Sequence, residues 1–430
     1  MALTGRTPLL ALVGVLPVLL WPGWAWLLGW LALVVLLVCV DLALAGSPRA
    51  VTLQRELPGS VRLGEPCEAA LVLTNTGRRR LHGMIRDAWQ PSAGAQNPRH
   101  PLDLPAGERR RVVTRMLPTR RGDRLAERIT LRSVGPLGLA ARQASPIDRD
   151  RIRVLPPFTS RRHLPSKLSQ LREIDGRAAL RARGQGTEFD SLRDYVLGDD
   201  VRSIDWRATA RRQQVVVRTW RPERDRRVLL MLDTSRTSAA RVGDAPRLDA
   251  AMDAALLLAA LAARAGDRVD LLAMDRRERA RVEGASRTEL LPALVEAMAP
   301  LEPDLVEADW TAIVAAIRKR LSRRSLVVLL TSLDSAAVEE GLLPVVARLT
   351  SHHRVLVASV ADPELARMAA GRDDAYAVYG AAAAERTLLE RAAVTAELGR
   401  LGVDVVDASP DELPPKLADR YLALKAAGLL

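Results

Sequence analysis

Lysine is nearly absent: of the 64 basic residues in this 430-residue chain, only Lys167, Lys319, Lys416 and Lys425 are not arginine. With Ala, Leu and Val abundant, that skew reads as the codon bias of a high-GC bacterial genome and weakens the net charge of +13 as a clue to partners. Aromatics are also scarce, at 3 %. The arginines are scattered, with short clusters at Arg78 to Arg80, Arg109 to Arg111 and Arg226 to Arg227, and no basic helix interleaves with aromatic side chains. Nucleic acid is therefore not an expected partner. The two cysteines, Cys39 and Cys67, form neither a disulfide framework nor metal-ligand spacing, and a reducing compartment is permitted. The five histidines make no HExxH pair, no Gly-Lys dipeptide exists to close a phosphate loop, and Ser235 lies outside any GxSxG elbow. These absences argue against a P-loop ATPase, a zinc hydrolase and a nucleophile-elbow esterase.

What is present begins with an apolar run. Pro8 to Val40 is 33 residues without a charge, and the apolar character continues past Asp41 to Ala45. One membrane span needs about 20 apolar residues, so the run is long for one and slightly short for two. Pro22 and Gly23 sit where a hairpin would turn, Pro17 could kink the first leg, and Trp21, Trp24, Trp26 and Trp30 crowd the turn as interfacial anchors do. A tight transmembrane helical hairpin over residues 1–46 is the expectation. A cleaved signal peptide fits less well, because the stretch far exceeds a signal core and no clear cleavage site closes it. Arg6 in front and Arg49 and Arg55 behind place both flanks in the cytoplasm, with the chain in the bacterial inner membrane.

Length and a 48 % hydrophobic content call for further domains. Residues 47–157 carry short, partly alternating runs, among them Val51 to Arg55, Glu68 to Thr74, Arg110 to Leu117 and Ala126 to Ser133, separated by turn signals such as Pro58-Gly59 and Asn75-Thr76-Gly77. That rhythm predicts a β-sandwich, and Gly135 to Leu139 reads as a tight corner. From residue 226 to 430 strands and helices alternate: strands at Val228 to Leu232, Arg268 to Met274, Ser325 to Leu330, Val355 to Val360 and Val403 to Val406, and helices such as Leu248 to Ala265 and Leu413 to Ala427. Near-continuous apolar strands between helices imply a mainly parallel sheet covered on both faces. Ligands of such sheets bind beyond the strand C-termini, which is where Asp233 falls.

Residues 158–225 link these domains and hold the densest run of unusual residues, GQGTEFDSLRDYVLGDDVRSIDWRATARRQQVVVR from Gly184 to Arg218. Helical spacing of Phe189, Leu192 and Tyr195, with Gly198 as a break and Asp199 or Asp200 as a cap, predicts two short amphipathic helices. The stretch fits a structural clamp, a protein-recognition surface or an acid cluster for catalysis. Its acids, Glu188, Asp199, Asp200 and Asp205 among them, lie within reach of Arg193, Arg202, Arg207 and Arg211, and neutralised carboxylates make poor general bases.

The pattern GxEFxxLRxYxxGDDxRxIDWxxxAR followed by VLLMLDTS resembles the signature of the DUF58 family, prokaryotic proteins with a von Willebrand factor A-like domain that are commonly encoded beside MoxR-type AAA+ ATPases. The resemblance implies a C-terminal α/β domain of that Rossmann-like kind and assigns Glu188, Phe189, Arg193, Tyr195, Gly198, Asp199, Asp200, Arg202, Asp205, Trp206 and Arg211 to a partner-binding or structural motif. Asp233, Ser235 and Thr237 fit the DxSxS/T pattern of a metal-ion-dependent adhesion site, which could hold Mg²⁺ through hydroxyls and one carboxylate. Thr311 is the candidate second-loop ligand. The further aspartate such sites carry is replaced by Thr331-Ser332, with Asp334 two residues on, so the site is degenerate. The implied function is a membrane-anchored, non-enzymatic scaffold for a MoxR-type ATPase in assembly or maturation of protein complexes. The alternative is a metal-dependent hydrolase using Asp199, Asp200, Asp205 and Asp233.

Overall fold

The computed structural model describes the backbone of residues 2–20, 23–147, 149–181, 188–221 and 226–430, without the side chains of residues 17, 18, 20, 177–181, 188–190 and 219–221. The chain falls into two compact units, Met1–Leu155 and Pro156–Leu430.

The first unit opens with strand β1 (Ala2–Leu3), short helices α1 (Arg6–Val13) and α2 (Val15–Leu20), and the long helix α3 (Trp24–Leu44). At 21 residues α3 reaches roughly 30 Å, and it is long and apolar enough to span a membrane. Its leucines, valines and tryptophans face outward nearly all round, unlike the helix of a soluble core. The helix α1 packs on it where the Trp30 indole donates to the Leu10 carbonyl at 3.2 Å. A Cβ on Gly14 would lie 1.9 Å from the Trp30 ring, so only glycine allows that approach. The expected turn at Trp21 and Pro22 lies outside the described residues.

Ten further strands follow: β2 (Val51–Glu56), β3 (Ser60–Arg62), β4 (Cys67–Asn75), β5 (Leu81–Trp89), β6 (Ala95–Gln96), β7 (Arg99–Leu104), β8 (Arg109–Met116), β9 (Gly122–Val134), β10 (Ala140–Ala144) and β11 (Arg151–Leu155). They form one sheet around β9, including β1, β10, β11, β3, β5 and β7, and a second in the order β2-β4-β8-β6. Leu71 and Leu73 from the second sheet interlock with Ile85, Leu104 and Leu131 from the first, which makes the pair a sandwich with a shared core. Deep within it Arg55 and Asp87 form a buried ion pair at 2.7 Å, with the Arg55 guanidinium over the Trp89 ring.

The corner at Gly135 to Leu139 joins helix to sandwich. Asp41, in the last turn of α3 and fully buried, accepts the amides of Leu137, Leu139 and Ala140 at 2.7–2.8 Å. The carbonyls of the same corner take the hydroxyls of Thr4 and Thr7, and β1 pairs with β10. Gly135 leaves room for the carboxylate, which a Cβ would approach to 2.2 Å.

The second unit starts with α4 (Leu164–Arg181), then a two-stranded antiparallel ribbon of β12 (Glu188–Asp194) and β13 (Val216–Arg221) whose tip carries α5 (Trp206–Arg212). The helix expected over Phe189 to Val196 is therefore a strand. A register shift between Phe189 and Ser191 breaks the two-residue alternation that would have marked it, and the β-branched run Val215 to Val217 supplies its partner.

Beyond the ribbon lie β14 (Arg227–Asp233), α6 (Arg236–Ala239), the two-residue pair β15 (Arg241–Val242) and β16 (Ala245–Pro246), α7 (Arg247–Arg264), β17 (Arg268–Met274), β18 (Glu278–Val282), α8 (Leu290–Met298), α9 (Trp310–Arg320), β19 (Leu326–Leu330), α10 (Ser335–Ala337), α11 (Leu343–Thr350), β20 (Arg354–Val360), α12 (Pro363–Ala370), α13 (Ala375–Arg400), β21 (Val403–Ala408) and α14 (Leu413–Ala426). The six-stranded sheet runs β18-β17-β14-β19-β20-β21, parallel throughout except for β18. One face packs Leu229, Met231, Val327 and Val355 against α9, α11 and α13, while α7 and α14 lie against the strands outside that cluster. The linking segment is held down at Asp253 of α7, whose carboxylate accepts the hydroxyls of Thr159 and Ser160 at 2.8 and 2.9 Å.

Replacing Asp41 by Ala should orphan three amides and cost about 3 kcal/mol, roughly one per unsatisfied donor. Asp41→Asn, which keeps one acceptor oxygen, should cost less. Thermal unfolding of the detergent-solubilised protein measures this, and an unchanged midpoint for Asp41→Ala would contradict the assignment.

Candidate functional site

In sequence order the sheet reads 3-2-1-4-5-6, so connections leave β14 and β19 in opposite directions and open a crevice beyond their C-terminal ends. Asp233 ends β14 and Thr331 follows β19, and their side chains meet across this switch point. The Asp233 Oδ2 accepts Thr331 Oγ1 at 2.6 Å and Thr237 Oγ1 at 3.2 Å, while Oδ1 accepts the Ser235 amide at 2.8 Å. Ser238 Oγ donates to the Asp233 carbonyl at 2.7 Å, and the hydroxyls of Ser235 and Thr237 lie 3.2 Å apart. Asp233 is 1 % exposed. Its burial outweighs these hydrogen bonds and raises its pKa above the usual carboxylate range.

Two neighbours extend the network. Asp275, just past β17, accepts Thr234 Oγ1 at 2.9 Å and the Arg279 Nε at 2.6 Å. Arg247, the first residue of α7, reaches over the crevice and donates to the Thr237 carbonyl at 3.2 Å and to Ser332 Oγ at 3.0 Å. Its Nε is buried without a partner, and it forms no ion pair among the described residues. Burial, with Arg391 nearby, pulls its pKa down.

The structure thus brings Asp233, Ser235 and Thr237 together as the sequence pattern implied. It puts the other two candidate ligands elsewhere: Asp334 caps α10 by accepting the Ala337 amide at 3.3 Å, and Thr311 is exposed in the first turn of α9, outside the network. The donor set is a poor one for a hard dication. It offers a single carboxylate with both oxygens already accepting hydrogen bonds, and the Arg247 guanidinium occupies the adjoining ground. Among the described residues no group of three or more His, Cys, Asp or Glu side chains could hold a metal ion.

On the ribbon, the acids are used locally. Asp199 pairs with Arg193 at 2.6 Å and accepts the Val196 amide, Asp200 accepts the Arg202 amide, and Asp205 caps α5 through the amides of Arg207 and Ala208 and pairs with Arg218 at 2.8 Å. The Arg193 hydrogen bond lowers the pKa of Asp199, and the cap followed by Arg218 lowers that of Asp205. Gly198 turns the chain at φ +106°, a left-handed conformation suited to glycine. Tyr195 is half-buried, whereas Trp206 and Arg211 are exposed. The side chains of Glu188 and Phe189 lie outside the described residues.

Arg247 and Asp275 were not singled out by sequence. Each acts through a contact between separate elements, for which a lone arginine at a helix start gives no periodic signal.

Residues 191–397 match the family described as "Protein of unknown function DUF58", so the chain carries a DUF58 domain. Uncharacterized proteins of Mycobacterium bovis and Mycobacterium tuberculosis are 28 % identical over 182 residues, 42 % of this chain and 56 % of theirs. The match therefore spans about half the length of those curated relatives. Among solved structures, the CARDB domain of a Pyrococcus furiosus protein, in complex with di-metal ions, shares 15 % identity over 24 % of this chain and 86 % of its own, with a TM-score of 0.17. A Listeria innocua β-glucosidase in complex with glucose shares 14 % over 24 % of this chain and 16 % of its own, with a TM-score of 0.16. Likenesses this slight bear on neither fold nor chemistry.

A raised pKa for Asp233 has a definite sign. The folded protein keeps that proton where the unfolded chain has lost it, so the residue supports folding best in acid. Its contribution falls as pH rises from the ordinary 3.8 through the raised value. Asp233→Asn cannot lose a proton, so its melting temperature relative to the native protein should climb as pH rises above the ordinary 3.8 and through the raised value. A difference that stays flat or reverses would contradict the burial argument.

Proposed function

We propose that this chain is a membrane-tethered protein-binding scaffold that works with a MoxR-type AAA+ ATPase in the assembly or maturation of other protein complexes. The ATPase supplies the energy, and this chain supplies place and docking surface. The tether is the apolar N-terminal segment, read as a hairpin in the inner membrane with α3 as its complete span and the rest of the chain on the cytoplasmic side. The strand order with its one antiparallel member supports the von Willebrand A-like reading of the α/β domain. The choice of a MoxR-type partner rests on resemblance.

One observation carries the scaffold reading. A chain with only four tyrosines leaves two of them, Tyr376 and Tyr379, 88 % and 78 % exposed in the first turns of α13, where Gly380 lies close to the exposed Met368 of α12. Large apolar side chains grouped on a soluble surface mark interaction sites, and tyrosines are common anchors there. The hydrolase alternative lacks comparable support, because Asp199, Asp200 and Asp205 serve as caps and ion-pair partners on the ribbon while Asp233 is spent within the sheet edge.

Solubilised, tagged protein should co-purify the MoxR-type ATPase in at least one nucleotide state. Tyr376→Ala with Tyr379→Ala should weaken recovery by roughly 30-fold, the equivalent of losing about 2 kcal/mol at an aromatic anchor. Recovery unaffected by the double substitution, or no recovery with either ATP or ADP, would count against the proposal.

A further inference from the structure

The tip of the β12–β13 ribbon, residues 195–215, is sorted by chemistry in a way that capping and ion pairing do not explain. None of its residues is buried. Leu197 is 97 % exposed, and Val196, Val201 and Trp206 are each more than half exposed, so water faces four large apolar side chains within a few residues of one another in sequence. Two of its three acids are paired: Asp199 and Asp205 with Arg193 and Arg218 on the ribbon strands, while Asp200 accepts only the Arg202 amide. Its arginines are not. Arg202, Arg207, Arg211 and Arg212 are exposed and form no ion pair among the described residues. The tip therefore presents exposed apolar side chains together with four exposed guanidinium groups that form no ion pair among the described residues.

We propose that this tip is a membrane-contacting foot, in which Val196, Leu197, Val201 and Trp206 enter the interfacial layer of an anionic bilayer while Arg202, Arg207, Arg211 and Arg212 pair with lipid phosphates. Tryptophan, aliphatic side chains and arginine together are what that layer accepts. Guanidinium forks bind phosphate bidentately, and an anionic leaflet attracts a positive surface over about a Debye length. A bilayer is favoured over an acidic protein because the same chain carries α3, and a tether raises the effective concentration of whatever surface it is anchored in. The inference rests on the membrane-tethered reading given above. It adds a second, reversible contact with the same bilayer, one that lipid charge and salt can adjust.

The test uses the full chain with Cys39→Ser and Cys67→Ser, the Leu197→Cys substitution labelled with an environment-sensitive nitrobenzoxadiazole dye, and reconstitution into vesicles of phosphatidylcholine alone or mixed with phosphatidylglycerol. In the mixed vesicles the dye emission should shift to the blue and be quenched by brominated lipid. Both effects should fade as salt is raised, and both should be lost when Arg202, Arg207, Arg211 and Arg212 are changed to Gln. A label on Thr311→Cys, exposed in the α/β domain, should report water throughout. Equal water exposure of the Leu197→Cys label in both vesicle types would overturn the proposal, as would shielding that appears only when an ATPase partner is added. Carbonate-resistant flotation of the same vesicles reads the anchor separately, so a floating protein with a wet tip refutes the foot and leaves the tether standing.

Discussion

A single carboxylate ties the apolar helix to the rest of the first unit. Asp41 ends a helix whose other side chains suit lipid, and it sits in the last turn, where the helix dipole disfavours negative charge. Three amides from one sandwich corner offset that placement, and the same corner's carbonyls hold Thr4 and Thr7. Both ends of the helical segment are thus fastened to residues 135–140. A helix joined in this way cannot swivel on a loose linker, and the sandwich follows wherever the helix is anchored.

The α/β unit shows the same economy with polar groups. Its switch-point crevice, where doubly wound sheets commonly bind ligands, is filled by a network in which Asp233 takes donors from Thr331, Thr237 and Ser235. Arg247 brings a positive charge to that edge from within the chain. Exposed apolar side chains lie on α12 and α13 and at the ribbon tip, and Leu305 is exposed beside the loop that follows β14.

Much of this was legible in the sequence because the strands of the α/β sheet are uninterrupted apolar runs. The strand expected at Val228 to Leu232 appears as Arg227–Asp233, and the helix expected at Leu248 to Ala265 as Arg247–Arg264. The corner at Gly135 to Leu139 was marked by its glycines, yet its partner was not, since Asp41 reads as an interruption of an apolar run until the amides it meets are known. The ribbon misled because its helical spacing is produced by an irregular strand, and pairing with Val216 and Val217 decided the outcome. Short strands such as β3 and β6 have too few residues to show any period, and Arg247 matters only through contacts with Thr237 and Ser332.

The central proposal is that an apolar helix locked to a sandwich holds a docking domain at the cytoplasmic face of a bilayer. Paired C-terminal fusions to a fluorescent protein and to alkaline phosphatase, assayed in carbonate-washed membranes, test it most directly. The account predicts membrane-retained protein that fluoresces and lacks phosphatase activity; an active phosphatase fusion, or release of the protein by carbonate, would contradict it.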